Sequence, residues 1–322
     1  MSLKMNSMEK QKRITSKIWR MSHLYWIINR KKEKVKFKAN RAQQHFEEHR
    51  ALRNIILKSR RLGFTTYESI DMLDDCLFTP NFEGLLIAHK QEDSYKIFDR
   101  KVHFTWENVS QKLKDLLWTS DTSRANELKF GFPGGKDFSS ISVSSSGRSG
   151  TYNRFHSSEF AKLCKMFPKV ASEVITGTIP AIPPDGRVDI ESTAEGEDGE
   201  FHDMFIEAWE RGEPKFPKEY KAHFYNWTWD DEELEMITES QAAEFLTSGD
   251  YVKKFTDLKG SFKDYQERNG LTNRQITYYY TQWQSLNKKF YKLFQEYPLT
   301  VEEAFATSGN KMFDKAAIER QK

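Results

Sequence analysis

The sequence has 322 residues, of which 38% are hydrophobic and 30% charged, and its formal net charge is +3. This balance predicts a globular chain with one large domain, or one domain and a small subdomain, and excludes wholesale disorder. No apolar run approaches the ~20 residues of a membrane span, and the N-terminus lacks the apolar core of a signal peptide, so we expect no membrane association. Two cysteines without metal-binding spacing, Cys76 and Cys164, favour ordinary thiols in a reducing compartment.

The positive charge is concentrated at the N-terminus. Residues 1–41 contain 13 Lys or Arg and two acids, a local charge of +11, so the rest of the chain carries −8. The densest part runs from Arg30 to Lys38. Such a segment binds phosphates with an affinity that falls with salt. It is equally typical of a solubilising tail or a charged helix face, and charge alone names no partner.

Hydrophobic periodicity predicts the elements in chain order. We expect helices at 12–29 and 42–52, a strand at 54–57, a turn at Gly63, a helix at 65–77, a strand at 84–88, a helix at 92–109, strands at 127–132, 140–144 and 152–157, a helix near 169–176, a strand at 188–193, a helix at 201–211 and a strand at 220–225. Strands alternating with helices predict an α/β fold with a mostly parallel sheet flanked by helices.

The strand pattern ends near residue 230, and a helical stretch is predicted from there through Phe290. We therefore expect a basic N-terminal arm with helices at residues 1–45 and an α/β core at 46–229. A helical subdomain at 230–300 and a linker at 301–322 follow.

The first strand runs into a basic loop and then a helix, the context that a phosphate loop requires. The loop reads Lys-Ser-Arg-Arg-Leu-Gly-Phe-Thr-Thr, from Lys58 to Thr66. Gly63 and Thr65 fit the common phosphate-loop pattern, but Lys58 occupies its first glycine position and Phe64 its lysine position. A basic surface turn is the alternative.

Two later segments place polar residues at strand ends. Residues 152–159 read Tyr-Asn-Arg-Phe-His-Ser-Ser-Glu, so Glu159 is a candidate base and Ser158 stands where an ATPase usually has Asp. Ser158 is then a candidate for holding a metal-bound water. Residues 189–196 end a strand in Ser192, Thr193 and Ala194, small residues that either sense a γ-phosphate or cap a plain turn.

Together these three segments resemble the large subunit of a tailed-phage terminase, the motor that packages viral DNA. The family commonly has a phosphate loop of the form K-[SA]-R-x-x-G-[FY]-[ST], an H-x-S-E-[FWY] strand end and an E-S-T-A-x-G coupling segment. Lys58–Thr65, His156–Phe160 and Glu191–Gly196 match these patterns. With weaker matches at residues 37–43, 224–227 and 294–305, where Asn226 replaces a frequent proline, the resemblance covers roughly residues 35–315.

The resemblance implies a P-loop NTPase of the additional-strand type with a helical lid, the catalytic glutamate on the strand beside the phosphate loop, and Mg·ATP as substrate. Glu159 would be the catalytic base, and Thr65, Ser158 and Glu159 would hold Mg²⁺. Ser192, Thr193 and Ala194 would couple hydrolysis to movement. The implied ATP-binding residues are Gln43, Lys58, Ser59, Arg60, Arg61, Leu62, Gly63, Phe64, Thr65 and Thr66. Either Lys58 folds back to the phosphates, or Arg60 or Arg61 supplies the charge.

Members of the family carry an arginine, on the loop before the acidic strand, that reaches a neighbouring subunit's nucleotide. The Ser/Gly-rich loop at 144–150 presents Arg148, to which we assign this catalytic role, with Arg154 as the rival. The resemblance also implies double-stranded DNA as cargo. The implied partners are a portal protein, a small terminase subunit and sister copies in a homo-oligomeric ring, expected to be a pentamer, on the procapsid. The implied location is the cytoplasm of the infected host, outside the mature virion.

Complete family members have a second, nuclease domain, which would begin shortly after Asp314, so we expect no nuclease activity from this chain. Three alternatives remain at this stage. A helicase-type ATPase would use the same sheet, and a dead nucleotide-binding module would explain the altered loop. The segment from His45 to His49 also matches the zinc pattern H-x-x-E-H, but no third ligand is evident.

Overall fold

The computed structural model describes residues 14–144 and 150–306. The chain divides into two compact units. Among the described residues, the first unit comprises those up to Ile56, within Gly63–Ser192 and within Glu207–Ala222. The second comprises Leu57–Leu62, Thr193–Ile206 and the described residues from His223 onward. In the described part of the chain, no helix is both long enough and apolar enough to cross a bilayer.

Ten strands are described. They are β1 Trp26–Ile28, β2 Lys34–Lys36, β3 Arg53–Lys58, β4 Glu83–Ala88, β5 Ser120–Arg124, β6 Glu127–Gly131, β7 Phe138–Val143, β8 Arg154–Ser158, β9 Arg187–Ser192 and β10 Lys221–Tyr225. β1 and β2 form an antiparallel pair, and the others form a sheet of order β10-β3-β9-β8-β4-β7-β6-β5. β7, β4, β8 and β9 run parallel to one another, while β5, β6 and β7 are antiparallel.

Helices surround this sheet and follow it. The α-helices up to β10 are α1 Lys17–His23, α2 Arg41–His49, α3 Phe64–Phe78, α4 Gln91–Ile97, α5 Phe104–Glu107, α6 Gln111–Leu117, α7 Phe160–Met166, α8 Pro168–Glu173, α9 Ile179–Ala181 and α10 Glu200–Arg211. Two π-helical turns, Phe98–His103 and Val174–Thr178, join α4 to α5 and α8 to α9. The predicted α/β class with a mostly parallel sheet is confirmed.

The burial of the strands indicates that both faces of this sheet are covered. Every residue of β3 and β8 is buried, as in a parallel sheet that is covered on two sides. The helix that follows β3 is also deeply buried, with 11 of the 15 residues of α3 out of solvent. Its position at the carboxyl ends of β3, β8 and β9 is what brings the candidate site residues together.

The second unit is helical after a 3₁₀ turn at Trp227–Trp229. Its α-helices are α11 Asp231–Glu235, α12 Glu239–Leu246, α13 Gly249–Val252, α14 Phe262–Asn269, α15 Asn273–Ser285, α16 Phe290–Glu296 and α17 Val301–Phe305. Capping boxes begin α12, α14 and α15 at Thr238, Ser261 and Thr272. An aromatic core that includes Trp227, Phe262 and Trp283 holds these short helices together. The predicted helical stretch after residue 230 is confirmed.

One predicted helix is wrong in its second half. The helix expected at 12–29 ends at His23, and Trp26–Ile28 pairs instead with Lys34–Lys36. The Asn29 side chain accepts a hydrogen bond from the Glu33 N–H and closes the hairpin, while the Lys36 ammonium lies 4.2 Å from the Trp26 ring centroid. The partners in these contacts lie in the basic run after residue 29. The helix was predicted from the periodicity of residues 12–29 alone, so the pairing with that run was missed.

Other short elements were not predicted either, among them α6, α9, β5 and α7. β5 adds an antiparallel edge strand to β6, and its sequence from Ser120 to Arg124 is too polar to stand out as a strand. α7 follows Glu159 directly, and its seven residues are too few to show a clear helical periodicity. The helix predicted at 92–109 is present but interrupted by the π turn at Phe98–His103.

Candidate active site

The loop between β3 and α3, the predicted phosphate loop, contains two residues with positive φ. Gly63 adopts φ +75° at the start of α3, and Arg61 also has a positive φ of 69°. A Cβ at Gly63 would lie 2.7 Å from Nε2 of Gln43, so both the conformation and the space favour glycine there. α3 begins without a side-chain cap and without acidic residues in its first turn. Such a helix N-terminus is suited to an anion.

Gln43 holds the glycine turn from the α2 side. Its amide Nε2 donates a hydrogen bond to the Gly63 carbonyl at 3.0 Å. Its Oε1 accepts from the Asn40 backbone N–H at 3.1 Å and completes a capping box at the start of α2. The structure therefore brings Gln43, which only the family resemblance had implicated, to the predicted loop.

The first half of the loop belongs to the second unit and is tied to its helices. The Ser59 N–H donates to the Tyr225 carbonyl at 2.7 Å, and the Ser59 hydroxyl donates to the Glu296 carbonyl at 3.1 Å. The Arg60 N–H donates to the same Glu296 carbonyl at 2.9 Å. Three hydrogen bonds to β10 and α16 thus fix the backbone of Ser59 and Arg60.

The three basic residues of the loop lie in different environments. Lys58 ends β3 and is buried, with 5% of its surface exposed. The side chains of Arg60 and Arg61 are more than half exposed. Arg60 lies 3.6 Å from the carboxylate of Glu296, and Arg61 lies 3.3 Å from that of Glu233. Lys58 is therefore the loop cation held inside the fold.

The apolar residues of the loop anchor it. Leu62 and Phe64 are buried, and the Phe64 ring packs edge-on against Phe46 of α2, with centroids 5.6 Å apart. Thr65 and Thr66 are half-buried in the first turn of α3. The side chain of Phe64, which stands at the usual lysine position, is thus part of the core.

Thr65 meets two strand ends. Its hydroxyl donates to Oε1 of Glu191 at 2.6 Å and lies 3.1 Å from the hydroxyl of Ser158. The Ser158 hydroxyl also donates to Glu191 Oε1, at 2.7 Å, and Nε2 of His156 lies 3.6 Å from the same oxygen. Ser158 and Glu191 are register partners on β8 and β9. The result is a cluster of oxygen atoms at the start of α3.

Glu159 has a strained backbone at the end of β8. It adopts φ 57° and ψ 45° as the residue before α7, a left-handed conformation that is uncommon for residues other than glycine. Its side chain is 24% exposed, and its Oε2 lies 2.8 Å from the Lys162 ammonium. Strain of this kind, about 1–3 kcal/mol, is concentrated at functional sites. Unlike the buried Ser158, Glu159 presents its carboxylate to solvent.

The coupling segment connects the two strand ends. Ser192 is the last residue of β9, and its hydroxyl accepts a hydrogen bond from the Ala161 N–H in the first turn of α7, at 3.2 Å. This bond joins the end of β9 to the helix that starts after Glu159. Thr193 and Ala194 are buried in the second unit, and the Thr193 hydroxyl has no hydrogen-bond partner among the described residues.

The two candidate arginines have different outcomes. Arg148 lies outside the described residues. Arg154 is 1% exposed and binds the carboxylates of Glu68, Asp71 and Asp75 at 2.5, 2.7 and 2.8 Å. Arg154 as an arginine that reaches a neighbouring subunit is therefore wrong, because its guanidinium is enclosed in a buried ion cluster.

The structure also bears on the zinc pattern at residues 45–49 and on the strand that precedes Glu159. His45 and His49 stack on one another, with ring centroids 4.1 Å apart. Within residues 14–144 and 150–306, no three His, Cys, Asp or Glu side chains are grouped to hold a metal. Glu159 follows β8, which is separated from the phosphate-loop strand β3 by the additional strand β9.

Sequence reasoning missed Glu191 as a site residue. It was noted only as the first residue of the coupling segment, in which Ser192, Thr193 and Ala194 were assigned the coupling role. The strand order explains its position, because β9 is inserted next to β3 and places its end closer to the phosphate loop than β8 does. A glutamate next to the last residue of a buried strand was the available clue.

No family model matches the sequence, and no curated protein matches it either. Among solved structures, the chain is similar to the large terminase ATPase domain of Thermus phage P74-26, with a TM-score of 0.48, 18% identity, and coverage of 66% of this chain and 90% of that one. It is similar to the large terminase of a thermophilic bacteriophage in complex with ADP, at TM-score 0.38, 14% identity, and coverage of 65% and 47%. A DEAD box protein from Methanococcus jannaschii matches at TM-score 0.35 and 12% identity, over 70% of this chain and 61% of that one.

Proposed function

We propose that this chain is the ATP-hydrolysing motor domain of a viral terminase large subunit, which moves double-stranded DNA into a procapsid. One observation supports this proposal most strongly. The N-terminus of α3, which follows Gly63, lies beside two hydroxyl groups and two glutamates at the carboxyl ends of β8 and β9. Thr65 and Ser158 lie 3.1 Å apart there, and Glu159 follows Ser158 directly. Ligands of open α/β sheets bind at this edge.

The oxygen cluster fits Mg²⁺. Thr65, Ser158 and Glu191 offer two hydroxyls and a carboxylate within 3.1 Å of one another. Mg²⁺ prefers oxygen ligands, keeps several waters and binds through one or two carboxylates plus substrate phosphates, so a cage of three protein acids is not required. When bound, Mg²⁺ would neutralise charge on the phosphate oxygens and on the leaving group.

The chain's own residues supply the rest of the chemistry. The N–H groups at the start of α3 would bind phosphate oxygens, and Lys58 would contribute the fixed positive charge, unless Arg60 or Arg61 does so. Glu159 would orient a water and accept its proton as the water oxygen bonds to the γ-phosphorus. The bond to the ADP oxygen breaks in the same displacement. Gln43 would report nucleotide occupancy through its bond to Gly63.

Arg148, Ser192, Thr193 and Ala194 complete the proposal. Arg148 would contribute to the nucleotide site of a neighbouring copy in a pentameric ring. Ser192 would transmit the state of the site to α7 through its bond to Ala161. The ring would sit on a portal protein with a small terminase subunit, in the cytoplasm of the infected host. The basic hairpin of β1 and β2 supplies charge that suits a DNA backbone.

ATP turnover measured with and without linear duplex DNA tests the proposal. We expect slow turnover alone and an increase with duplex, in a salt-dependent manner. Binding of ATP without turnover would instead identify a dead nucleotide module. Separation of the strands of a forked duplex would identify a helicase.

A further inference from the structure

β8 lacks the acid that this kind of site ordinarily uses. In P-loop ATPases, Mg²⁺ is held by the hydroxyl of the phosphate loop and by an aspartate at the end of a neighbouring strand. Here the residue before Glu159 is Ser158, which is 1% exposed and uncharged. A serine hydroxyl contributes no negative charge, so the charge beside the metal has to come from elsewhere.

Glu191 lies close enough to Thr65 and Ser158 to supply that negative charge. Its Oε1 accepts hydrogen bonds from the Thr65 hydroxyl at 2.6 Å and from the Ser158 hydroxyl at 2.7 Å. Both are short bonds of the kind that hydroxyls make to a carboxylate. The parallel register pairs Ser158 with Glu191, and β9 lies between β8 and β3, so its end is adjacent to the loop.

The direction of the Thr65 bond matters for metal binding. A hydroxyl has one proton to donate and two lone pairs to offer. Because the Thr65 proton is directed at Glu191, the lone pairs of Thr65 Oγ1 are left for a cation. Glu191 is completely buried, and in proteins a buried carboxylate charge is matched by a cation or by strong hydrogen bonds.

We infer that Glu191 is the relocated magnesium-positioning carboxylate of this site, a role that has moved from β8 to β9. It orients the Thr65 hydroxyl for the metal and supplies the negative charge that Ser158 lacks. The inference rests on the proposed function, since it requires a Mg·ATP site. It adds a residue that neither the usual motif position nor Glu159 accounts for.

The test measures how strongly Mg²⁺ supports nucleotide binding. The affinity of a non-hydrolysable ATP analogue is determined by calorimetry over a Mg²⁺ titration and in EDTA, for wild type, Glu191→Gln and the double variant Ser158→Asp/Glu191→Gln. Glu83→Gln, an exposed glutamate at the start of β4, is the control. Thermal unfolding of each protein verifies that it is folded.

We expect Glu191→Gln to need about 10–100-fold more Mg²⁺ for the same analogue affinity, as outer-shell substitutions do, with little change in EDTA. The double variant returns a carboxylate to β8 and should recover most of the Mg²⁺ dependence, a rescue that a merely structural role for Glu191 would not give. Glu83→Gln should match wild type. An unchanged Mg²⁺ requirement in Glu191→Gln, with wild type showing a clear one, overturns the inference and leaves the proposed function standing.

Two further outcomes can be distinguished from a failure of the inference alone. If wild type binds no analogue, or binds it equally with and without Mg²⁺, the proposed function fails and the inference fails with it. If Glu191→Gln does not fold, a wild-type crystal with Mn²⁺ and the analogue decides by anomalous scattering. A metal peak on Thr65 with Glu191 still bonded to that hydroxyl, or to a metal-bound water, supports the inference. Glu191 turned away from Thr65 contradicts it.

Discussion

The hydroxyl of Thr65 lies 2.6 Å from the carboxylate of Glu191, although 126 positions separate the two residues in sequence. The bond joins the first turn of α3 to the end of β9 and lies beside Ser158, the position where an ATPase usually has an aspartate. It shows how the parallel sheet assembles one site from three distant segments. It also places a carboxylate beside the predicted phosphate loop, although β8 itself ends in Ser158.

Lys58 should contribute more to ATP binding than Arg60 or Arg61, because it is enclosed at the end of β3 while the two arginines are exposed. Lys58→Ala is expected to weaken binding of the ATP analogue roughly tenfold or more, the size of a lost charged hydrogen bond. Calorimetry on Lys58→Ala, Arg60→Ala and Arg61→Ala compares them.

Lys96→Ala is the matched control, since Lys96 is an exposed lysine on α4 whose side chain is 58% exposed. It should bind as wild type does. If Lys58→Ala binds equally well and one arginine variant loses affinity, the charge comes from that arginine instead.

Arg154 should be a structural residue. Its guanidinium contacts Glu68 and balances the charges of Asp71 and Asp75 inside the first unit. Burial opposes its charge, but these neighbours raise its pKa well above the ordinary arginine value. Arg154→Met keeps the volume but leaves the acids uncompensated, which we expect to cost about 3–5 kcal/mol in the free energy of unfolding. Arg124→Met, at an exposed position on β5, should change it little. Equal urea midpoints for the two variants would remove Arg154 from this role.

The same ion cluster predicts a pH dependence through Glu68. Burial, together with the neighbouring Asp189 carboxylate, raises the pKa of Glu68 to about 8, against the opposing effect of Arg187 and Arg154. The folded protein therefore holds a proton that the unfolded chain releases above its ordinary pKa, so this contribution to stability is complete below about pH 4.5 and lost as pH rises through 8. In that window the group lowers the free energy of unfolding by up to about 1.4 kcal/mol per pH unit.

Glu68→Gln has no such proton to lose. The free energy of unfolding of wild type should therefore fall relative to that of Glu68→Gln between about pH 5 and 8, measured by urea denaturation at each pH. Glu83→Gln, which removes an exposed glutamate, should run parallel to wild type. Parallel curves for wild type and Glu68→Gln would show that Glu68 is ionised in the folded state.

The strong signals of this sequence predicted most of the sheet. Runs such as 54–57 and 84–88 are apolar throughout because both faces of the sheet are covered, and β3 and β4 lie where they were expected. The loop with Gly63 and the strand end at Glu159 were recognised because each has a local motif. The hairpin at Trp26 and the edge strand from Ser120 were missed. Neither segment has a strand periodicity strong enough to exclude a helix at Trp26 or a loop at Ser120.

The role of Glu191 was not predictable in the same way. It depends on which strand lies beside which, and strand order is set by long-range packing rather than by any local pattern. The buried position of Arg154 had the same origin, because its four acidic neighbours come from α3 and β9. A motif indicated that an arginine precedes the acidic strand, but only the fold shows that this one points into the core.

Arg148 carries the prediction about assembly. An arginine supplied by a neighbouring copy is worth about 10³–10⁵ in rate in other P-loop enzymes. Arg148→Ala should therefore bind ATP and hydrolyse it poorly, and wild-type turnover should rise more than linearly with protein concentration. Mixing Arg148→Ala with Glu159→Gln should restore some activity, because one kind of interface then pairs an intact arginine with an intact glutamate. No restoration in a mixture that demonstrably associates would place Arg148 outside this role.

In the function that we propose, Glu159 activates water in an ATP site. The most direct measurement is steady-state ATP turnover by Glu159→Gln and wild type, with analogue affinity determined in parallel and Glu92→Gln, an exposed acid of α4, as control. Glu159→Gln should keep its affinity for the analogue and lose about 10²–10⁴ in turnover, while Glu92→Gln should behave as wild type. Turnover of Glu159→Gln within about threefold of wild type, below the range for a positioned base, would contradict it.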